Sequence, residues 1–205
     1  MKGLLLKDFF TLGKQMRFFL ALIVLFALLP GASMSAFAIV YAAMLPMTAL
    51  AYDERAKWNE LAAMMPYTEG QLVGSKYVLG FIGIAGAFVL SLAAQAVTGL
   101  IHGTVVSWAD GIALLAIVCI AVLIQAITMP CLFRFGVEKG RLYVIVFMAV
   151  LALLVGVGGS DAVMEFLSNE KVILVLGIAL PFAAAAGTVV SVRVSGKIYR
   201  KKFGG

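Results

Sequence analysis

The sequence predicts an all-α membrane protein: six transmembrane helices, an interfacial helix at the N-terminus and one short cytoplasmic helix between spans. Three observations carry that expectation. Hydrophobic residues make up 63% of the 205 and charged residues 13%, with a mean hydropathy of +1.09; a soluble domain carries about 25% charged residues. Such a chain cannot cover itself with polar surface, so its solvent is lipid. The charges also gather in a few segments, and the uncharged runs between them are long enough to cross a bilayer. Finally, the distribution of Lys and Arg between loops fixes the number of crossings. The length suits one domain over 1–205, with no room for a soluble catalytic domain beside the bundle.

Residues 1–15, MKGLLLKDFFTLGKQ, place Lys7 and Lys14 on one helical face, while Leu5, Leu6, Phe9, Phe10 and Leu12 crowd the remainder. This pattern predicts a helix lying in the membrane interface. Lys2 to Arg17 followed by an apolar run and ASMSA also has the layout of a cleaved signal. That reading is disfavoured, because the basic region is long and the apolar run resumes directly after Ser35.

Residues 18–51 carry no charge. As one helix they would measure roughly 50 Å against ~30 Å of hydrocarbon. The run therefore folds back at Pro30-Gly31, giving spans over 17–29 and 33–51, the second kinked at Pro46. After the charged segment 52–76, uncharged runs follow at 77–100, 112–133, 142–157 and 172–192. Gly80, Gly83 and Gly86 form a face that another helix can approach closely, and Gln95 and Gln125 read as interhelical hydrogen-bonding groups. Pro130 and Pro181 mark further bends. Cys119 and Cys131 read as small buried hydrophobes.

With six spans, every Lys and Arg except Lys171 lies on one side. With 18–51 as a single span, most of them would move outside. The positive-inside rule therefore places both termini and the loop 52–76 in the cytoplasm. The net charge of +6 is then a membrane asymmetry and requires no nucleic acid.

Past Arg17 at the edge of the first, the spans contain no Asp, Glu, Lys, Arg or His. Ion-coupled carriers and intramembrane proteases need such groups at membrane depth, and the lone His102 falls at an outer edge, where it reads as an interfacial polar residue. There is no CxxC or HExxH spacing for a metal and no GxxxxGK[ST] phosphate loop. A catalytic or metal site is therefore not expected, and any work the bundle performs must draw energy from another chain.

Within 52–76, YDERAKWNELAAMMPYTEGQLVGSK, Asp53 and Glu54 stand at the start of an expected helix, where acids favour the positive end of its dipole. Trp58, Leu61, Ala62 and Met65 follow with helical spacing, Pro66 stops the helix, and Thr68 caps a second short one leading into the next span. The apolar face, with Trp58 as its anchor, either rests on the bilayer surface or docks in a protein groove.

The N-terminal LLLKDFF, the six spans and the loop YDERAKW…MPYTEGQLVGSKYV together resemble the ABC-2 type transporter permeases in their short six-span bacterial form. The resemblance covers nearly the whole chain. It implies a membrane subunit of an ATP-binding-cassette exporter in the bacterial cytoplasmic membrane, paired with a second permease copy or paralogue. It implies no enzyme activity and no cofactor on this chain; ATP and Mg belong to a separate ABC ATPase subunit. By the match, Asp53, Glu54, Trp58, Pro66, Lys76 and Tyr77 belong to a cytoplasmic coupling helix and loop, with Leu61 and Met65 on the docking face. Related loops often carry a basic residue soon after the proline, where this chain has Glu69, which implies a changed charge contact with the ATPase. The implied mechanism is alternating access driven from outside the bundle. A non-transporting membrane sensor or assembly protein on the same bundle is the alternative. The apolar spans suit peptides, lipids or hydrophobic drugs alike.

Overall fold

A computed structural model describes residues 2–15, 17–28, 32–102, 108–143, 145–146 and 170–203. Their regular structure is helical throughout. Helices α1 (Lys2–Gln15), α2 (Arg17–Leu28), α3 (Ala32–Ala42), α4 (Leu45–Arg55) and α5 (Trp58–Ala63) precede two long ones, α6 (Glu69–His102) and α7 (Trp108–Phe135). A short helical stretch occupies 137–143, and α8 (Glu170–Phe203) closes the described chain.

Four helical segments are long and apolar enough to cross a membrane among the described residues: Met34–Arg55, Glu69–Ile101, Gly111–Phe135 and Ala179–Lys201. Six spans were expected. The first expected span, 17–29, coincides with α2, which is not among the four: its 12 residues reach only about 18 Å. The expected span at 142–157 lies largely outside the described residues, as does the turn at Pro30-Gly31. The fold-back itself is visible: α2 packs beside α3, with the Phe26 and Phe37 rings 6.5 Å apart and Ile23 and Ile39 in one core.

The break between α3 and α4 follows from Pro46, which has no N–H for the Ala42 carbonyl. The chain compensates locally. Met44 N–H bonds the Tyr41 carbonyl at 3.1 Å, and the Thr48 hydroxyl donates to the carbonyls of Leu45 at 2.9 Å and Met44 at 3.1 Å. Gly83 of α6 sits against this break. A Cβ there would lie 3.4 Å from the Ala42 carbonyl oxygen and 2.4 Å from Leu45 Cδ1.

Helix α6 begins earlier than expected, because Thr68 caps it directly. Gln71 and Leu72 N–H groups bond the Thr68 carbonyl, and the Gln71 side-chain carbonyl accepts from Thr68 N–H at 3.3 Å, as in a capping box. No separate short helix intervenes. At 34 residues α6 extends about 51 Å, beyond the hydrocarbon at one end.

Two cores hold the bundle. One joins α2, α3, α4, α6 and α7 through Ile23, Ile39, Leu45, Leu79, Ile84 and Leu114. The other joins α4, α6, α7 and α8 through Leu50, Val73, Met129, Leu132 and Tyr199. A polar chain runs through the second. Ser191 Oγ donates to the Ala126 carbonyl at 2.5 Å, which uses its only proton. The Tyr77 hydroxyl, 2.5 Å away, must then donate to Ser191, leaving Ser195 to donate to Tyr77 at 2.9 Å. Buried Gln125 donates to the Tyr77 carbonyl at 3.2 Å.

The glycine face is therefore divided. Gly80 admits the Gln125 amide of α7, Gly83 admits Leu45 of α4, and a Cβ at Gly86 would meet nothing within 4 Å. Gly80→Ala displaces the Gln125 amide and should cost about 1–3 kcal/mol, whereas Gly86→Ala should leave stability unchanged. Thermal unfolding of the detergent-purified variants checks the contrast; equal midpoints would refute this packing.

Candidate functional site

One end of the bundle gathers charge, carried in part by the terminal turns of segments apolar enough to cross a membrane. It is assembled from three helices distant in sequence. Helix α1 turns Leu4 and Asp8 inward, one helical turn apart, and both are buried. Lys7 lies beside Asp8, while Leu6 and Phe10 face away from the protein. The last turn of α4 supplies Asp53 and the second turn of α6 supplies Lys76, both buried.

These four residues close a ring. Lys7 Nζ lies 2.6 Å from Asp53 Oδ1 and 3.1 Å from Asp8 Oδ1. Lys76 Nζ lies 2.7 Å from Asp8 Oδ1 and 2.5 Å from Asp53 Oδ2. Each lysine touches both aspartates, so positive and negative alternate around the circuit and the formal charge cancels. Burial would be prohibitive for any of these charges alone, and removing one partner of a buried pair typically costs 3–5 kcal/mol. Trp58 covers the ring from α5, with Lys7 Nζ 4.2 Å from its ring centroid. A cavity of about 20 Å³ bordered by Leu4, Trp58, Leu72 and Tyr199 adjoins the four charges. Asp8 Oδ2 is buried beside it with no hydrogen-bond partner among the described residues.

The acids of the loop are thus placed differently from the expectation. Asp53 and Glu54 end α4 instead of starting a docking helix, because the preceding helix continues to Arg55. Carboxylates at a helix C-terminus oppose its dipole. Asp53 is compensated by the two lysines, and Glu54 caps another segment, accepting from Val137 N–H at 3.0 and 3.1 Å. Gly136, at φ +78°, turns the backbone toward that carboxylate. The chain then breaks at Lys57, which takes a left-handed φ of 50°, before α5 starts at Trp58.

The other sequence-predicted residues divide between inside and outside. Tyr77 is buried in the serine chain described above. On α5, Ala62 is buried, Trp58 is half-buried against Lys7, and Leu61 is 49% exposed. Met65 and Pro66 are exposed in the turn that follows, next to Met64 at 85%. Glu69 pairs within the chain, accepting from Arg200 Nε of α8 at 2.8 Å. The ring, the Glu54–Val137 cap and the Glu69–Arg200 pair bring α1, the ends of α4, α7 and α8, and the start of α6 to one end of the bundle.

Sequence reasoning missed Lys7 and Asp8 as site residues. A signal was present: Asp8 is the first acid in the chain, and the next is Asp53. Among so many apolar and basic residues, a lone acid four positions after Leu4 needs an internal cation.

The ring holds rather than reacts, since every carboxylate is engaged by an ammonium. Asp53→Asn leaves two lysines sharing one carboxylate and should lower stability by about 3–5 kcal/mol. Adding Lys7→Gln restores neutrality around the Lys76–Asp8 pair, so the double variant should be more stable than Asp53→Asn alone. Chemical or thermal unfolding of the purified proteins measures both; simple additivity would show that the four do not act as a unit.

Comparison with curated proteins and with solved structures finds no match. Comparison with family models finds one, described as ABC-2 family transporter protein, and it matches residues 3–200. The match spans α1, every apolar helix and the charged end where the ring is built. With nearly all of its length accounted for by that model, the chain belongs to the ABC-2 family of transporter proteins.

Proposed function

We propose that this chain is the permease subunit of an ABC exporter, worked by a separate ABC ATPase through α5. Membership of the ABC-2 family indicates a membrane transport subunit rather than an enzyme. The observation that carries the finer reading is the two-sided character of α5 and its following turn. Leu61, Met64 and Met65 present an apolar outer face, which a protein groove can receive. On the inner side Trp58 rests on Lys7, and Lys7 belongs to the ring that joins α1, α4 and α6.

In this reading, closure of two ATPase subunits, with ATP and Mg on those partners, displaces α5. The displacement passes through Trp58 and the ring to α4 and α6. These helices change which side of the membrane the paired permeases face, and the partner permease is a second copy or a paralogue. A bistable bundle biased by binding elsewhere is sufficient for alternating access. The reading keeps six spans, α1 in the membrane interface and both termini on the cytoplasmic side of a bacterial inner membrane. The clustering of cations around the ring supports that orientation.

Roles within the loop then separate. Leu61, Met65 and Pro66, together with Met64, touch the ATPase. Trp58, Asp53 and Lys76 transmit, while Glu54 and Tyr77 brace α4 and α6 against their neighbours. Leu61→Asp with Met65→Asp should weaken association with the ATPase by about 2–4 kcal/mol, measured by co-purification and titration. Trp58→Ala should leave association nearly intact and abolish substrate-stimulated ATP hydrolysis in the reconstituted complex. Loss of association with Trp58→Ala and none with the double aspartate would reverse the assignment. Hydrolysis indifferent to every candidate substrate would favour a sensing or assembly role.

Orientation has its own check. A Lys57→Cys variant should react with a membrane-impermeant thiol reagent in inverted vesicles and not in intact cells. Reaction only from the exterior would overturn the coupling role.

A further inference from the structure

A second cavity at the charged end shares no lining residue with the one beside the ring. It measures about 340 Å³, and its lining includes Glu54 and Arg55 of α4, Phe135 of α7, and Glu138, Lys139 and Arg141. Its depth follows from the helices that end in it. Arg55 is the last residue of the apolar segment Met34–Arg55, and Phe135 is the last of Gly111–Phe135. The helical stretch 137–143 then leads into the uncharged run 142–157. Three apolar runs thus reach their polar ends around one cavity, which puts it where bilayer hydrocarbon gives way to headgroups. The Phe135 and Tyr143 rings, both exposed, lie 4.7 Å apart. Leu142, Ile145 and Val146 beside them are exposed as well. Aromatic rings flanked by exposed apolar side chains suit a membrane interface and are poorly suited to water.

The lining itself is cationic. Arg55, Lys139 and Arg141 all border the cavity and are exposed. None of them forms an ion pair among the described residues, in contrast to Lys7, Lys76 and Arg200. Two glutamates share the lining, yet they do not neutralise these cations at contact. Glu54 is turned to the Val137 N–H, which it accepts at 3.0 and 3.1 Å. Three cations against two carboxylates leave a net positive wall, and two of the three are guanidinium forks, whose planar donors match phosphate oxygens.

We propose that this cavity binds the headgroup of one anionic phospholipid from the leaflet at the charged end, its phosphate held by Arg55, Lys139 and Arg141 beside the Phe135–Tyr143 pair. A basic pocket between helices at headgroup depth is a general setting for such lipids, and the volume falls in the range of roughly 300–1,000 Å³ that holds small ligands. An acidic protein segment would meet the same cations but has no use for the exposed apolar residues that adjoin them. Neither α5 nor the ring takes part, so the site stands or falls independently of ATPase coupling.

The test uses the full-length protein in nanodiscs of mixed phosphatidylcholine and phosphatidylglycerol, and counts the lipids retained on the released protein by native mass spectrometry. The wild-type chain should retain one phosphatidylglycerol in preference to phosphatidylcholine by about fivefold or more, the effect of one net charge near a membrane surface. Lys139→Gln with Arg141→Gln, both at exposed positions, should bring the preference to about parity. Glu138→Gln removes an acid from the lining and should raise it. Lys197→Gln with Lys201→Gln takes the same charge from exposed positions of α8 at the same end and should leave it in place. Absence of headgroup preference in the wild-type protein would overturn the proposal, as would an equal loss with the α8 pair, which would mean diffuse attraction to the whole surface. So would removal of the preference by soluble glycerol phosphate. So would a Lys139→Gln, Arg141→Gln protein that keeps its lipid preference and loses the ATPase, since the cavity would then be a protein interface.

Discussion

Four side chains that can only be buried together set the architecture of this bundle's charged end. Lys7, Asp8, Asp53 and Lys76 come from three helices, and the contacts that join them span 46 residues of sequence between Lys7 and Asp53 and 68 between Asp8 and Lys76. Apolar packing could bring α1, α4 and α6 near one another, but it would leave their register loose, since one leucine face slides on another at modest cost. An ion ring does not allow that freedom. A helix shifted by one residue would leave an unpaired ammonium or carboxylate at the edge of a low-dielectric medium, where it is costly. The ring therefore fixes α1, the only one of the three without a crossing segment, against the bundle.

Other polar contacts extend the same logic outward. Glu54 caps the helical stretch at 137–143 through Val137 N–H, and Glu69 reaches Arg200 at the end of α8. Tyr77, the residue after Lys76, ties α6 to α8 through Ser191 and Ser195. Polar ties thus dominate at one end, whereas the first core, from Ile23 to Leu114, is apolar. In lipid, apolar surfaces gain little from meeting one another, so hydrogen bonds and close fits such as Gly83 on the α3–α4 break carry more of the specificity.

The parts of this arrangement that were legible in sequence are those written in composition. The crossing segments are apolar because lipid surrounds them, and the chain break at Pro46 is dictated by a missing N–H. Gln125 as an interhelical donor followed from the cost of an amide in hydrocarbon. The site was harder to read. In sequence the charged loop begins at Tyr52 and puts Asp53 at a helix start, yet α4 carries its acids into its own last turn. Trp58 shares a stripe with Leu61 and Met65 in a one-dimensional pattern, but α1 lies on one side of α5 only, and that neighbour splits the stripe. Glu54 could not have been assigned, since its partner is a backbone amide and any residue but proline supplies one. Asp8 is readable from its isolation, but Lys7 and Lys14 on one face among Leu and Phe direct the reading of 1–15 to an interfacial helix.

The connectivity of the ring also bears on why charges occupy a place that leucines could fill. In a chain of two separate pairs, moving one helix would break a pair outright. Here Lys7 reaches both aspartates and so does Lys76. Any one of the four contacts can lengthen while every charge retains an opposite neighbour, so the electrostatic cost of a small displacement of α1 or α4 is spread around the circuit. A close-packed apolar junction responds otherwise, losing dispersion contacts on one side and overlapping on the other. A closed ring with doubly connected members is thus stiff against separation of the three helices and tolerant of their sliding by fractions of an ångström. That combination suits the proposed coupling role, in which the joint stays assembled while the helices it joins are displaced.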